Sequence, residues 1–98
     1  MKYKKTLRYT QGFKKVEKEL TWDMFYKYLN ENMEFWFYYE KKTIDIAFHF
    51  ENEKKIYELN ISNGENSKYF TFDTVDELVN FKVFDNKSLY EIWDDLEN

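Results

Sequence analysis

Residues 34–72 read EFWFYYEKKTIDIAFHFENEKKIYELNISNGENSKYFTF and carry the most regular pattern in the chain. Apolar residues recur there at every second position, which is the period that places side chains on one face of a β-strand. Polar turns interrupt the alternation at residues 41–42 and 52–54 and at Asn63-Gly64, and an Asn-Gly pair is a strong hairpin signal. The stretch therefore predicts four strands in a four-stranded antiparallel β-meander.

One helix is predicted before this stretch and two short helices after it. Residues 21–32 begin with a threonine suited to an N-cap and continue with apolar residues at helical spacing. Farther along, Thr74 with Glu77 and Ser88 with Glu91 have the spacing of a capping box, which marks the start of a helix. The predicted fold class is therefore α+β, with the helices packed on one face of the sheet.

Residues 1–18 are harder to interpret than the rest of the chain. Tyr3, Leu7 and Tyr9 alternate weakly, as in an edge strand, whereas the lysines between them also suit a basic arm. The length of 98 residues is near the commonest size of one domain. We therefore expect a single domain over residues 1–98, in which residues 1–18 are either a basic arm or an edge strand.

The composition excludes several classes of protein. Hydrophobic residues make up 43% of the chain and aromatic residues 22%, far more core material than a disordered segment carries. Because cysteine is absent, disulfides, thiolate nucleophiles and cysteine zinc sites are excluded. Apolar runs are too short to cross a bilayer, and the first residues lead into no secretory stretch, so we expect a cytoplasmic protein.

Few residues in the chain are suited to catalysis. His49 is the single histidine and both glycines are isolated, so neither a catalytic triad nor a glycine-rich phosphate loop is indicated. Asp45 and His49 share a predicted strand face, with Glu58 as a candidate neighbour, but chance alone gives such a trio in a chain with 35% charged residues. We therefore predict that the protein is not an enzyme and has no catalytic residues, no cofactor and no metal.

The alternation also assigns each side chain to a face of the sheet. The face toward the helices takes the apolar set: Phe35, Phe37, Tyr39, Ile44, Ile46, Phe48, Phe50, Tyr57, Leu59, Ile61, Phe70 and Phe72. The opposite face takes Trp36, Tyr38, Asp45, Ala47, His49, Glu58, Asn60, Tyr69 and Thr71.

Exposed tryptophan and tyrosine are typical anchors of protein interfaces. Four residues of the opposite face are therefore predicted to bind a partner: Trp36, Tyr38, His49 and Tyr69. The alternative is that the N-terminal segment or a second copy of the chain covers this face. Stacking of single-stranded bases on it is less favoured, because acids surround the aromatic residues.

Charge is distributed unevenly along the chain. Residues 1–18 carry seven Lys or Arg against one Glu, whereas residues 73–98 carry eight acids against two lysines. A folded acidic surface can occupy the basic groove in which another protein normally holds nucleic acid. Six acids form the second set of predicted partner-binding residues: Asp73, Asp76, Glu77, Glu91, Asp94 and Asp95. The alternative is an ordinary solvated helix exterior.

The C-terminal residues 72–98 read FDTVDELVNFKVFDNKSLYEIWDDLEN. They contain F-D-[ST]-x-[DE]-E-L followed by K-[ST]-L-x-E-[IL]-W-D-[DE]-[IL], and this ending resembles that of small uncharacterised proteins of low-GC Gram-positive bacteria and their phages. The resemblance covers only the last quarter of the chain and implies a fold module and a mobile-element neighbourhood, not an activity. In size, acidity and lack of catalytic residues the chain is also similar in type to small phage inhibitors, among them anti-CRISPR proteins.

These features predict a non-enzymatic inhibitor or adaptor that comes from a phage or other mobile element and binds a protein partner. In its sharpest, anti-CRISPR-like form the partner is a basic nucleic-acid-binding effector, met by the acidic, DNA-mimicking surface. Two alternatives stay open: a homodimer with a structural or interaction role, closed by the aromatic face, and a nucleic-acid binder that uses the basic residues 2–18.

Overall fold

The computed structural model describes residues 5–98. In chain order its elements are β1 (Thr6–Gln11), β2 (Lys14–Glu19), α1 (Trp22–Asn30), β3 (Phe35–Tyr39), β4 (Lys42–Glu51), β5 (Lys54–Ser62), β6 (Ser67–Phe72), α2 (Val75–Asn80), α3 (Leu89–Ile92) and a 3-10 helix (Trp93–Asp95). Strands β3 to β6 form one antiparallel sheet in that order, and β1 pairs with β2 in a separate sheet. The predicted α+β fold, with one helix before the four-stranded sheet and short helices after it, is confirmed. Within residues 5–98, no helix is long and apolar enough to cross a membrane.

The strand register places most of the predicted apolar set in the core. Phe37 lies opposite Ile44, Ile46 lies opposite Leu59, and Leu59 also lies opposite Phe70. Residues paired in this way share a face of the sheet. Phe70 is partly buried and the other four are almost completely buried, so this is the face that the helices cover.

Helix α1 packs on the covered face through Phe25. The centroid of its ring lies 5.0 Å from that of Phe35, 5.7 Å from that of Phe37 and 5.1 Å from that of Trp93. Phe25 is completely buried, so the helix, strand β3 and the 3-10 helix share one aromatic core. Burial of a side chain of this size contributes about 2 to 3 kcal/mol.

The predicted helix starts are confirmed by their caps. A backbone N–H of the first turn donates to Oγ1 of Thr21 in α1 (3.2 Å) and to Oγ1 of Thr74 in α2 (3.1 Å). At α3 the capping box is complete: the Ser88 N–H donates to Oε1 of Glu91 (3.0 Å), and the Glu91 N–H donates to Oγ of Ser88 (3.3 Å). These bonds satisfy donors that the start of a helix leaves unpaired.

The prediction that Phe50 faces the core is wrong. Strand β4 pairs with β3 only as far as Ile46, and β6 pairs with β5 only as far as Tyr57. Beyond these points β4 and β5 continue as a two-stranded overhang, in which Phe50 lies opposite Lys55. Phe50 is therefore on the predicted side of the sheet but 59% exposed, because the sheet around it is too narrow for the core to extend there.

The segment predicted as either an arm or an edge strand forms a hairpin of its own. Strands β1 and β2 pair around a turn in which Gly12 has a φ of +64°, a conformation that glycine adopts without strain. Leu7 and Leu20 are buried and anchor the hairpin to the common core, while Phe13 at its tip is fully exposed. Lys2 and Lys4 of the predicted basic segment lie outside the described residues.

The C-terminal residues join the two sheets. The Tyr38 N–H donates to the Glu97 carbonyl oxygen (2.6 Å), and the Glu97 N–H donates back to the Tyr38 carbonyl oxygen (3.0 Å). The Asn98 side chain then reaches β1: its Nδ2 donates to the Thr6 carbonyl oxygen and its Oδ1 accepts from the Thr6 N–H, both at 3.0 Å. A short extended segment therefore lies between β3 and β1.

Candidate functional site

The side of the four-stranded sheet that the helices leave open is called the outer face. Its main side chains are Trp36, Tyr38, Asp45, His49, Glu58, Asn60 and Tyr69. The register brings all four predicted aromatic and histidine residues to this face, as the alternation indicated. Three of them are about half exposed: Trp36 at 47%, Tyr38 at 50% and Tyr69 at 56%.

Trp36 and Tyr38 form an aromatic pair on strand β3. Their ring centroids are 5.1 Å apart, and the rings meet edge to face at 72°. This geometry is favourable for aromatic rings, and each ring holds the other in place. The pair is therefore an ordered, amphipathic and exposed patch at one side of the outer face, which is the kind of surface that anchors an interface.

Glu58 organises the other side of the outer face. Its Oε1 accepts a hydrogen bond from the Tyr69 hydroxyl (2.7 Å), and its Oε2 lies 2.9 Å from Nδ1 of His49. On its far side the histidine ring places Nε2 3.2 Å from Oε1 of Glu51. Four side chains from three strands, Glu51, His49, Glu58 and Tyr69, thus form one hydrogen-bonded chain, called the polar cluster.

The polar cluster shifts the pKa values of its own members. Hydrogen bonding to Glu58, and then to Glu51, raises the pKa of His49 above its ordinary value. The Tyr69 hydroxyl, with His49 as a further partner, lowers the pKa of Glu58, and the same bond raises the pKa of Tyr69. Each shift favours the proton arrangement in which Glu58 is charged, His49 is protonated and the Tyr69 hydroxyl keeps its proton.

The predicted trio of Asp45, His49 and Glu58 is only partly brought together. His49 and Glu58 are in contact, but Asp45 lies opposite Asn60 and Trp36 on the neighbouring strands. In the described part of the chain no group of three or more His, Cys, Asp or Glu side chains is arranged to hold a metal ion. The cluster instead presents fixed carboxylates, which can accept hydrogen bonds from a cationic partner.

Two outer-face residues of interest were not among the predicted site residues. Glu51 belongs to the polar cluster, and its position could have been predicted from the sequence. It is two residues from His49 along a strand, and residues at that spacing lie on the same face. Asn60 lies at the centre of the sheet, and its side-chain oxygen is buried without a hydrogen-bond partner within residues 5–98. Its signal was an asparagine inside a strand, where this residue type is depleted.

The three predicted acids at the start of α2 contact neighbouring side chains of the fold. Asp73 forms an ion pair with Lys54 across 3.1 Å. Asp76 accepts a hydrogen bond from the Tyr26 hydroxyl (2.6 Å), and Glu77 accepts one from the hydroxyl of the N-cap threonine (3.2 Å). Acids at the start of a helix are also favourable for the helix dipole. Each of these three acids therefore has a partner within the fold.

The acids of α3 and the 3-10 helix are likewise engaged with their neighbours. Glu91 completes its capping box and lies 3.8 Å from the Lys82 ammonium, and the backbone N–H of the cap lowers the pKa of Glu91. Asp94 and Asp95 act on Lys5, whose pKa is lowered by burial and raised again in part by these two carboxylates. Each of the six predicted acids therefore has a hydrogen-bonding or charged neighbour within the fold, and their role in partner binding stays a prediction.

Comparison with protein-family models, with curated proteins and with solved structures gives no match. The outer face concentrates exposed aromatic rings and fixed carboxylates, and it is the strongest candidate for a functional site.

Proposed function

We propose that the protein is a non-enzymatic binding protein whose outer face recognises a basic protein. The observation that supports this proposal is the placement on one open sheet face of the Trp36–Tyr38 pair, of Asp45 opposite Trp36 on the neighbouring strand, and of Glu58 on the strand beyond. Aromatic rings next to carboxylates suit the side chains of arginine and lysine, which bind ring faces and carboxylates together.

The charge of the outer face favours a basic protein over two other occupants. The outer face carries three negative carboxylates, those of Asp45, Glu51 and Glu58, against the single positive charge of His49. This excess of negative charge would repel the phosphate groups of a nucleic acid. Two copies of the chain placed face to face would bring carboxylates of the same sign together, which is unfavourable for a homodimer through this surface. A partner with exposed Lys and Arg meets neither difficulty.

The biological role that we propose is that of an inhibitor or adaptor encoded by a phage or other mobile element. Its target in that case is a nucleic-acid-binding effector, whose basic groove has the chemistry that the outer face requires. The resemblance of the C-terminal segment to phage-associated proteins supports this neighbourhood. The acids of α2 and α3 would add long-range attraction rather than direct contacts.

The proposed function is tested by affinity capture from the host lysate followed by binding measurements with the purified partner. Wild type is compared with Trp36→Ala/Tyr38→Ala and with Phe13→Ala, a control that removes an exposed aromatic ring from the hairpin tip. We expect a basic protein that binds wild type and the control equally and binds the double variant at least about tenfold more weakly. Raised salt weakens the complex if the carboxylates contribute.

Three outcomes would contradict this proposal. The first is capture that is equal for all three proteins, because binding then lies elsewhere. The second is recovery of nucleic acid in place of protein, which would support the basic N-terminal segment as the binding site. The third is a dimer of the chain that the double variant dissociates, which would support the homodimer.

A further inference from the structure

Within residues 5–98 no strand pairs with the edge of β3 beside Trp36. Tyr38 uses both of its backbone polar groups on Glu97, and these groups alternate from side to side along a strand. The N–H and C=O of Trp36 therefore point to the same side as those of Tyr38. In this register the position opposite Trp36 is two residues after Glu97, and the bridge between β3 and the C-terminal segment within residues 5–98 is at Tyr38.

Strand β1 forms the other side of the opening. The Lys5 carbonyl oxygen accepts from the Leu20 N–H, toward β2, whereas both backbone groups of Thr6 face the Asn98 side chain. By the same alternation, the backbone groups of Arg8 point the same way as those of Thr6. Two strand edges with polar groups therefore face each other across a gap that the Asn98 side chain closes at one end.

A groove of about 260 Å³ occupies this gap. Arg8 lines one wall and Glu34 with Trp36 the other, and its apolar lining comes from Leu7, Met33 and Phe35. Leu7 and Phe35 belong to the buried core, so the apolar side chains form the floor of the groove. Among the described residues no strand lies between the two edges, and free edges over an apolar floor are the conditions under which an extended peptide adds to a sheet.

We infer that the groove takes an extended segment of the partner, which runs antiparallel to β3 and carries basic and apolar residues in alternation. The residue opposite Trp36 would have its side chain on the outer face, beside the indole ring. The following residue would point to the apolar floor, and the next would lie beside Glu34. Arg8 does not oppose a basic residue strongly, because its guanidinium is 3.5 Å from the Glu17 carboxylate.

This inference rests on the proposed function only for the basic character of the partner. Binding of a strand in the groove can be tested without a partner protein. The full chain is extended after Asn98 by Arg-Val-Lys-Val-Thr, whose first residue falls opposite Trp36. Tethering gives the segment a local concentration in the millimolar range, on the order of what a weak strand addition needs. The measurement is hydrogen exchange of the Trp36 N–H by NMR, with the Ile46 N–H as an internal reference for the intact sheet.

Two matched extensions serve as controls. In Pro-Val-Lys-Val-Thr the residue opposite Trp36 keeps the carbonyl that accepts the Trp36 N–H but has no N–H to donate to the Trp36 carbonyl, so one of the two bonds of the pair is lost. Glu-Val-Glu-Val-Thr keeps both backbone bonds but reverses the charge of the side chains. We expect the Trp36 N–H to exchange about tenfold more slowly with the basic extension than in the unextended chain, and to be protected less by the acidic extension and by the proline extension than by the basic one.

An unchanged Trp36 exchange rate with the basic extension would overturn the inference. Equal protection by the basic and acidic extensions would overturn the basic chemistry that it assigns to the segment. Failure of the proposed function is recognised separately. If the Trp36 N–H exchanges more slowly but wild type, Trp36→Ala/Tyr38→Ala and Phe13→Ala capture partners equally from the lysate, the groove still binds a strand. The outer face is then not the surface that binds the partner.

Discussion

Strand β3 has aromatic residues on both of its sides, but those on one side are buried and those on the other are exposed. Toward the helices, Phe35, Phe37 and Tyr39 are buried, whereas Trp36 and Tyr38 on the outer face are about half exposed. All five are aromatic, so hydrophobic character alone does not decide burial. The layer of helices decides it, and an aromatic face without such a layer is where contacts with a partner are expected.

The largest predicted effect separates the two sides of β3. Phe37→Ala removes a completely buried ring that contacts Phe25 and Trp93, so we expect the free energy of unfolding to fall by about 3 to 5 kcal/mol. Its neighbour is the matched control: Trp36→Ala should cost less than about 1 kcal/mol, because the ring is half exposed. Chemical denaturation of both variants measures the difference. Equal losses would show that both faces are structural.

A smaller loss of stability is expected from weakening α3, one of the helices that cover the inner side of the sheet. Ser88→Ala removes the capping box that starts α3, and a lost cap of this kind costs about 1 kcal/mol. Ser88→Thr keeps a hydroxyl that can accept the Glu91 N–H and is the matched control. The thermal midpoint of the two variants gives the comparison. A Ser88→Ala protein as stable as wild type would mean that α3 is held by packing alone.

The fold could be predicted largely because its signals are local. The period of two in residues 34–72 indicates four strands, and threonine and serine at the right spacing indicate the helix starts, which the caps of Thr74 and Ser88 confirm. Phe50 could not be placed correctly, because its exposure depends on how far the neighbouring strands extend. The hairpin of residues 6–19 was not resolved by pattern, since few of its side chains besides Leu7 enter the core.

The candidate site was predictable in part. Alternation alone brings Trp36, Tyr38 and His49 to one face, but the contact of Glu58 with both His49 and Tyr69 needs the register of three strands. The groove beside Trp36 was beyond prediction, because its closed end depends on a bond between residues 92 positions apart. Contacts of that range leave no periodic signal in a sequence.

Substitution of Phe50 tests whether the side of the sheet on which a residue lies, or its burial under other elements, determines its contribution to the free energy of unfolding. It lies on the covered side of the sheet but is 59% exposed, so Phe50→Ser should change the free energy of unfolding by less than about 1 kcal/mol. Ile46 is the matched position on the same side of the same strand, and it is almost completely buried. Ile46→Val, although conservative, should therefore cost as much or more, at about 1 kcal/mol. Chemical denaturation measures both, and a large loss in Phe50→Ser would show that the side of the sheet, and not its cover, is decisive.

The smallest effect is the pH dependence of the polar cluster. The pKa of His49 is raised above 6.5 by Glu58, so the stability that it contributes is fully present below pH 6.5 and is lost as the pH rises through the raised value. The pKa of Glu58 is lowered below 4.5 by the Tyr69 hydroxyl, so its contribution is present above pH 4.5 and is lost as the pH falls through the lowered value. The cluster should therefore stabilise the fold most between about pH 4.5 and 6.5.

His49→Gln isolates the contribution of the His49 contacts, because titrating groups that do not contact His49 contribute equally to both proteins. The difference in thermal midpoint between wild type and His49→Gln should be largest between these two pH values and should decrease on the alkaline side as the imidazole loses its proton. A difference that is constant with pH would mean that His49 acts through packing against its strand neighbours. In that case the position of the Glu58 carboxylate does not depend on a protonated histidine, and it is held by the hydrogen bond from the Tyr69 hydroxyl.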